Sequence, residues 1–333
     1  MREIEVLYGV GQDVGAWAAD HAVSLVPSRW PYGLDQLAAG LPTALAQGEH
    51  PGRLGRAWSM LRSDDAAAET GRITWDENVA AGLAPRAGAS RHSGVIWLTD
   101  QAAAGKTVGR RVAWLRRFTS LWVLSAAQVV PLRELLGPRG PRVSVVPFGV
   151  DAEFFAARAY PLAPLVLSIG GDRDRDTATL FRALSQVLAS APGTEVVVQT
   201  SSSLEPPPGI IKVGRLSHAD LRELYTRASV VTIATRPNLH VSGMTVSLEA
   251  MATGRPVVIT GTPGMADYVR DDRTGVVVAP GDADALARET TELLRDVDRA
   301  QELGRAGRGF VEAGHTTSTL CAGILDAVRP SRA

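Results

Sequence analysis

SVVTIATRPNLHVSGMTVSLEAMATGRPVVIT, residues 229–260, reads as strand, loop, helix, strand. The β-branched run 229–235 and the run 255–260 suit strands buried on both faces. Between them, Pro237, Asn238, Ser242 and Gly243 break the pattern into an irregular loop. A helix is expected to start near Met244 or Thr245 and to close at Gly254, a residue able to take the left-handed C-terminal position. The amides of Ser242, Gly243, Met244 and Thr245 then stand at a helix N-terminus, where unpaired N–H groups and partial positive charge favour an anion. Gly243 has no side chain to block close approach. Glu249, four residues after Thr245, lies about one turn in on the same face, and a carboxylate there suits the two hydroxyls of a ribose. The plain alternative is a helix terminus that binds only water, with Glu249 solvated.

The alternation continues outward. Residues 165–170, 195–200, 210–214 and 275–280 read as further short strands, with helices from about Thr177 to Leu188 and from Ser217, an N-cap candidate. Strands and helices alternating this regularly predict a doubly wound parallel sheet. The N-terminal half repeats the theme less cleanly, with strands expected at IEVLYG, 72–76, 94–100, 121–125 and 143–149. Residues 27–60 show no clear pattern, and 151–164 read as the connection between domains. The fold class is therefore α/β, with an N-terminal domain over residues 1–155, completed by a helix over 313–329, and a C-terminal domain over 156–312.

At 333 residues, two domains are the natural expectation. The 35 basic and 35 acidic side chains cancel, which gives no reason to expect nucleic acid as a partner. Lys106 and Lys212 are the only lysines. Cys321 stands alone, without companions at metal-binding spacing, and fits a reducing cytoplasm. No signal-peptide pattern or stretch of about 18 apolar residues is present, so a soluble cytoplasmic protein is expected. All seven tryptophans fall at or before Trp122, where core packing is the ordinary reading and a sugar cleft the functional one. RRVAWLRRF (110–118) is a basic amphipathic stripe that suits either a helix covering a sheet or peripheral contact with a membrane.

Three pieces carry a family resemblance: VVPFGVDAEFF (145–155), SIGGDRDRDTATLFRAL (168–184) and LEAMATGRPVVITGTPGMADYVRDDRTGVVVAPGD (248–282). Together with the opening stretch, the chain resembles the retaining two-domain transferases of glycosyltransferase family 4, the group 1 glycosyltransferases. The resemblance implies the GT-B architecture, two Rossmann-like doubly wound parallel-sheet domains facing across a cleft. It implies transfer of a sugar from a nucleoside diphosphate sugar, of UDP or GDP type, to a carbohydrate, lipid-linked or small-molecule acceptor. The donor is a co-substrate; neither cofactor nor metal is required. Glu249 takes the ribose-binding role, and Ser242, Gly243, Met244, Thr245 and Val246 form the loop that holds diphosphate and donor sugar. Arg175 stands in place of the family's lysine by its spacing to Leu180, and Arg173 is the matching arginine, both on the diphosphate. Gly171, Gly214 and Arg215 complete the donor side. The family's second glutamate, eight residues before the ribose-binding one, is Val241 here, so His240 or Ser242 is expected to contact the sugar instead.

On the N-terminal side, YGVGQDVG places Gly9, Gly11 and Gly15 after the first strand, and Gly11 and Asp13 are candidates for the acceptor side. That loop motivates a second reading, a nicotinamide-dependent oxidoreductase, but no strand ending in an acid follows about twenty residues on. A third reading is a sugar-nucleotide epimerase on the same double fold. Trp75, Asp76 and Glu77 end one expected strand and Asp100 another, which makes them candidates for the acceptor side, Asp76 with a catalytic role. Each acid could equally cap the helix that follows.

Overall fold

The computed structural model describes residues 1–9, 11–47, 70–81, 83 and 88–329. Trp58 and much of the unpatterned stretch before residue 60 lie outside the described residues. Contacts divide the chain into two compact units: Met1–Ala19, Arg29–Pro147 and Ser318–Ala333 form the first, and Asp20–Ser28 with Phe148–Thr317 form the second.

The second unit holds strands β7 (Leu165–Ile169), β8 (Glu195–Gln199), β9 (Ile210–Val213), β10 (Val230–Ile233), β11 (Val257–Thr260) and β12 (Val276–Val278). They form a sheet in the order β12-β11-β10-β7-β8-β9, and every pair is parallel. β7, β10 and β11 are buried along their whole length, which is why they read as unbroken apolar runs. Their valines pack with Leu184 and Leu286 from the covering helices Thr177–Ser190 and Ala283–Arg295. The order reverses at β7, which pairs with β8 on one side and with β10 on the other. In open parallel sheets the ligand crevice opens at the carboxyl ends of strands at such a reversal. In this unit those ends lead into the loops 170–176 and 234–243.

The first unit holds β1 (Glu3–Tyr8), β2 (Thr43–Gln47), β3 (Thr70–Thr74), β4 (Ser90–Gly94), β5 (Ser120–Val123) and β6 (Arg142–Val145), in the parallel order β2-β1-β3-β4-β5-β6. Its reversal lies at β1, so its crevice faces the loops after Tyr8 and Thr74. β2 escapes the sequence pattern because TALAQ is an edge strand with two alanines and only one β-branched residue. The strand expected over 94–100 is also corrected. It runs Ser90–Gly94, and the chain then turns into a helix at Leu98–Ala103. A buried carboxylate, Glu77, takes the amides of Ile96 and Trp97 at 2.8 Å each and so ends the ladder.

The basic stripe forms the helix Gly109–Leu115, which buries Val112 and Leu115. Trp114 Nε1 donates to the Ala80 carbonyl at 2.8 Å, and Arg91 lies over both Trp114 and Phe118. The packing of the stripe within the unit thus accounts for its apolar side. The last helix, Thr317–Val328, joins the first unit, where Arg142 donates to the carbonyls of Ala327 and Arg329. No helix among the described residues is long and apolar enough to cross a membrane.

Candidate functional site

The site of the second unit starts from two loops laced together at the sheet reversal. Asp176 N–H donates to the Ala234 carbonyl at 2.9 Å, and Arg236 N–H to the Asp174 carbonyl at 2.8 Å. The first loop ends at Asp176, whose carboxylate caps the following helix by accepting from Thr179 N–H. The second passes through Asn238, whose Oδ1 accepts from Ser242 N–H at 2.8 Å, and ends at Gly243.

The side chain of Arg175, from the first loop, reaches between Gly170 and Gly243. Its Nε and Nη1 are shut off from solvent and make no hydrogen bond, while the nearest carboxylate oxygen, Asp172 Oδ2, is 3.5 Å from Nε. A buried cation with unmet donors is costly, so an anion delivered here gains strongly. Two glycines make room for the guanidinium. A Cβ on Gly170 would fall 2.3 Å from Nε, and one on Gly243 would lie 3.3 Å from Nη1 and 2.8 Å from Ile259 Cδ1. Gly243 also holds φ +97°, a conformation that L side chains rarely adopt. Its lack of a side chain therefore serves Arg175 and the core at least as directly as it serves an incoming ligand.

Gly243 starts the nine-residue helix Met244–Ala252. Two of the four amides expected to face an anion are already used, Ser242 by Asn238 and Met244 by the Val241 carbonyl at 3.1 Å. Among the described residues, the amides of Thr245 and Val246 have no hydrogen-bond partner, and these open the helix. Glu249 follows one turn in, 8 % exposed. Its Oε2 accepts from Tyr225 Oη at 2.8 Å, and Tyr225 is fully buried with its ring edge-on to Phe155. Burial pushes the Glu249 carboxyl up to about 7, against the opposing pull of the Tyr225 hydrogen bond and the Arg175 charge.

Val241, where the second glutamate was expected, is fully buried at φ +57°. A β-branched residue in the left-handed region stores strain, so the surrounding loop must hold it there. Of the two expected substitutes, Ser242 donates through Oγ to Asp172 at 2.7 Å, and His240 Nε2 stands 3.8 Å from Asp174. Asp172, Asp174 and His240 each offer a ligand atom within 4.8 Å of one another. Arg173 Nε is 3.0 Å from Asp174 Oδ2, so both carboxylates already sit against arginines. Gly171 accepts from Ser201 Oγ at 3.1 Å beside this cluster. Gly214 and Arg215 lie in the exposed turn after β9, two strands from the reversal. Neither Asp172 nor Tyr225 stands out in the sequence: one is an acid in a run of alternating charge, the other a helix residue at core spacing.

In the first unit, Gly11 and Asp13 follow β1, and Trp75, Asp76 and Glu77 follow the neighbouring β3, with most of their polar groups committed to structure. Asp13 accepts from Ala16 N–H at 2.9 Å at the start of the helix Val14–Ala22. Asp76 caps Glu77–Ala80 by accepting from Asn78 and Val79, the capping alternative left open above. Glu77 is 1 % exposed and holds the β4 exit, its pKa raised by burial, so it does not stand at a solvent-facing strand end. Trp75 is buried beneath Tyr32, stacked with centroids 4.1 Å apart; Tyr32, in a stretch without a clear pattern, is the ring left open. Asp100 sits in the first turn of Leu98–Ala103 instead of at a strand end.

Residues 165–296 match the family described as glycosyl transferases group 1. The chain is 29% identical over 236 residues to a Mycobacterium tuberculosis glycogen synthase, covering 66% of this chain and 55% of that protein. It is 33% identical over 148 residues to a Corynebacterium glutamicum GDP-mannose-dependent monoacylated alpha-(1-6)-phosphatidylinositol monomannoside mannosyltransferase, covering 40% and 39%. The chain thus spans about half the length, or less, of these curated relatives. The Anabaena protein Alr3699/HepE in complex with UDP-glucose superposes with a TM-score of 0.70 at 15% identity, covering 97% of this chain and 98% of that one. The fold is the α/β GT-B architecture expected from the resemblance.

Proposed function

We propose that this chain, whose residues 165–296 match the group 1 glycosyltransferases, moves a glycosyl group from a nucleoside diphosphate sugar to a hydroxyl with retention of anomeric configuration. One observation carries the reading most: a solvent-shielded Arg175 with unsatisfied Nε and Nη1, beside a helix N-terminus at the sheet reversal, with Glu249 one turn further in. Arg175, with Arg173 and the amides of Thr245 and Val246, holds the diphosphate and stabilises the charge that grows as it leaves. Glu249 accepts from the ribose hydroxyls, and Tyr225 keeps its carboxylate in place. The acceptor hydroxyl attacks from the leaving-group side, and a donor phosphate oxygen takes its proton. The arginines supply the positive charge, so no metal is needed. UDP and GDP sugars are the first donors to try, because the relatives and neighbours above use or bind those nucleotides.

The test incubates UDP-, GDP-, ADP- and dTDP-sugars with candidate carbohydrate and lipid-linked acceptors in the presence of EDTA. A glycoside of unchanged anomeric configuration is the expected product. Arg175→Ala should lower turnover at least about 100-fold, as for loss of one strong charge-stabilising donor. Near-normal turnover in that variant would sink the diphosphate assignment. Conversion of the donor sugar without any acceptor would favour an epimerase instead.

A further inference from the structure

The loop that offers arginines to a diphosphate also carries its own anions. Asp172 Oδ2 accepts from Ser242 Oγ at 2.7 Å and lies 3.5 Å from Arg175 Nε, while Oδ1 accepts from Asp174 N–H at 2.8 Å. The two side chains that converge on Oδ2 come from opposite sides of the sheet reversal. They are the guanidinium assigned above to the diphosphate and the hydroxyl at the end of the β10 loop. Asp174 differs, because it pairs with Arg173 on the outer side of the loop, where that side chain is 39% exposed.

We propose that Asp172 is an internal stand-in for the donor's phosphate. Its carboxylate occupies the place of a phosphate oxygen between Arg175 and Ser242 and must yield when a nucleoside diphosphate binds. The inference rests on the diphosphate reading above and deepens it. A carboxylate oxygen and a phosphate oxygen present the same acceptor to a guanidinium and a hydroxyl. Two such anions sharing one pair of donors repel, so one must leave. Asp172 has the way out, because its side chain is 27% exposed and that of Arg175 only 11%. The arrangement keeps Arg175 from standing as an uncompensated buried charge and lowers the donor affinity in return. It also favours ligands with enough negative charge to displace a carboxylate, a diphosphate ahead of a bare nucleoside.

Calorimetric titration of UDP and GDP, with uridine and guanosine as phosphate-free controls, tests this on the full chain and on Asp172→Asn and Asp172→Ala. Asp172→Asn keeps the shape and an acceptor for Ser242 while removing the charge. Both variants should bind the preferred diphosphate about tenfold more tightly, as expected for relief of one close like-charge contact at intermediate dielectric. Nucleoside affinity should not change, and adding Arg175→Ala should abolish the gain. If Asp172 instead only positions Arg175 and Ser242, Asp172→Asn binds the diphosphate equally or more weakly at an unchanged melting temperature, and the inference falls while the diphosphate reading stands. An equal gain for the nucleoside also overturns it. If neither the natural chain nor Asp172→Asn binds either diphosphate, the diphosphate reading falls with it.

Discussion

At Glu249 two demands pull against each other. Burial raises its carboxyl to about 7, so the folded chain holds this proton more tightly than the unfolded chain does. Its contribution to stability is full below the ordinary carboxylate range and is lost as pH rises from there through about 7. Ribose hydroxyls need the ionised form, so affinity should move the opposite way and strengthen between pH 6 and pH 8. Arg175 and Tyr225 face the same carboxylate, and both favour its charge. Titrating the preferred nucleoside diphosphate across that range, with Glu249→Gln as the reference for the ligand's own ionisation, checks the sign. The natural chain should gain up to about tenfold more than the variant across those two units, and about threefold over the unit around the midpoint. A rise of equal size in both would remove Glu249 from the nucleotide site.

The helix Met244–Ala252 shows how an element is set by its first residue. Gly243 is required for its left-handed backbone, for Ile259 below it and for Arg175 beside it. Gly243→Ala should therefore lose about 1–3 kcal/mol of stability and weaken diphosphate binding at the same time. Gly214→Ala is the comparison, because a Cβ there meets nothing within 4 Å and should leave the melting temperature almost unchanged. Equal melting temperatures for the two variants would show that the close approach around Gly243 relaxes without cost. The boundaries of this helix were legible because Gly243 and Gly254 bracket an apolar run. The helix at Leu98 was not, because its start is decided by Glu77, a residue distant in sequence that takes the two amides a longer strand would have used.

For the whole molecule, the two sheets place their reversals at β1 and β7, and the sequence-predicted residues sort themselves accordingly. Arg173, Arg175, His240, Ser242, Gly243 and Glu249 gather in the second unit, whereas Asp13, Trp75, Asp76 and Glu77 gather in the first. Donor binding should therefore slow amide exchange over residues 170–176 and 238–249, including Thr245 and Val246, and leave the strands of the first unit unchanged. Exchange with and without saturating UDP or GDP measures this. Protection confined to the loops after β1 and β3 would move the nucleotide to the other unit.

The strand–helix rhythm, the parallel sheet of the second unit and the helix that carries Glu249 were all legible along the chain. These follow from local apolar runs and glycine punctuation, which act over a few residues. What each polar group does was settled by the folded arrangement. Asp76 became a helix cap, Glu77 a buried acceptor for two amides, and Trp75 a ring covered by Tyr32. Val241 was shown to be strained and buried, and Asp172, an acid in a charged run, was shown to sit between Ser242 and Arg175. Several of these partners lie far apart in the chain: Glu77 is 19 and 20 residues from Ile96 and Trp97, and Asp172 is 70 from Ser242. Whether a carboxylate caps, bridges or meets a ligand depends on which donors the fold brings within 3 Å, and no local pattern encodes that.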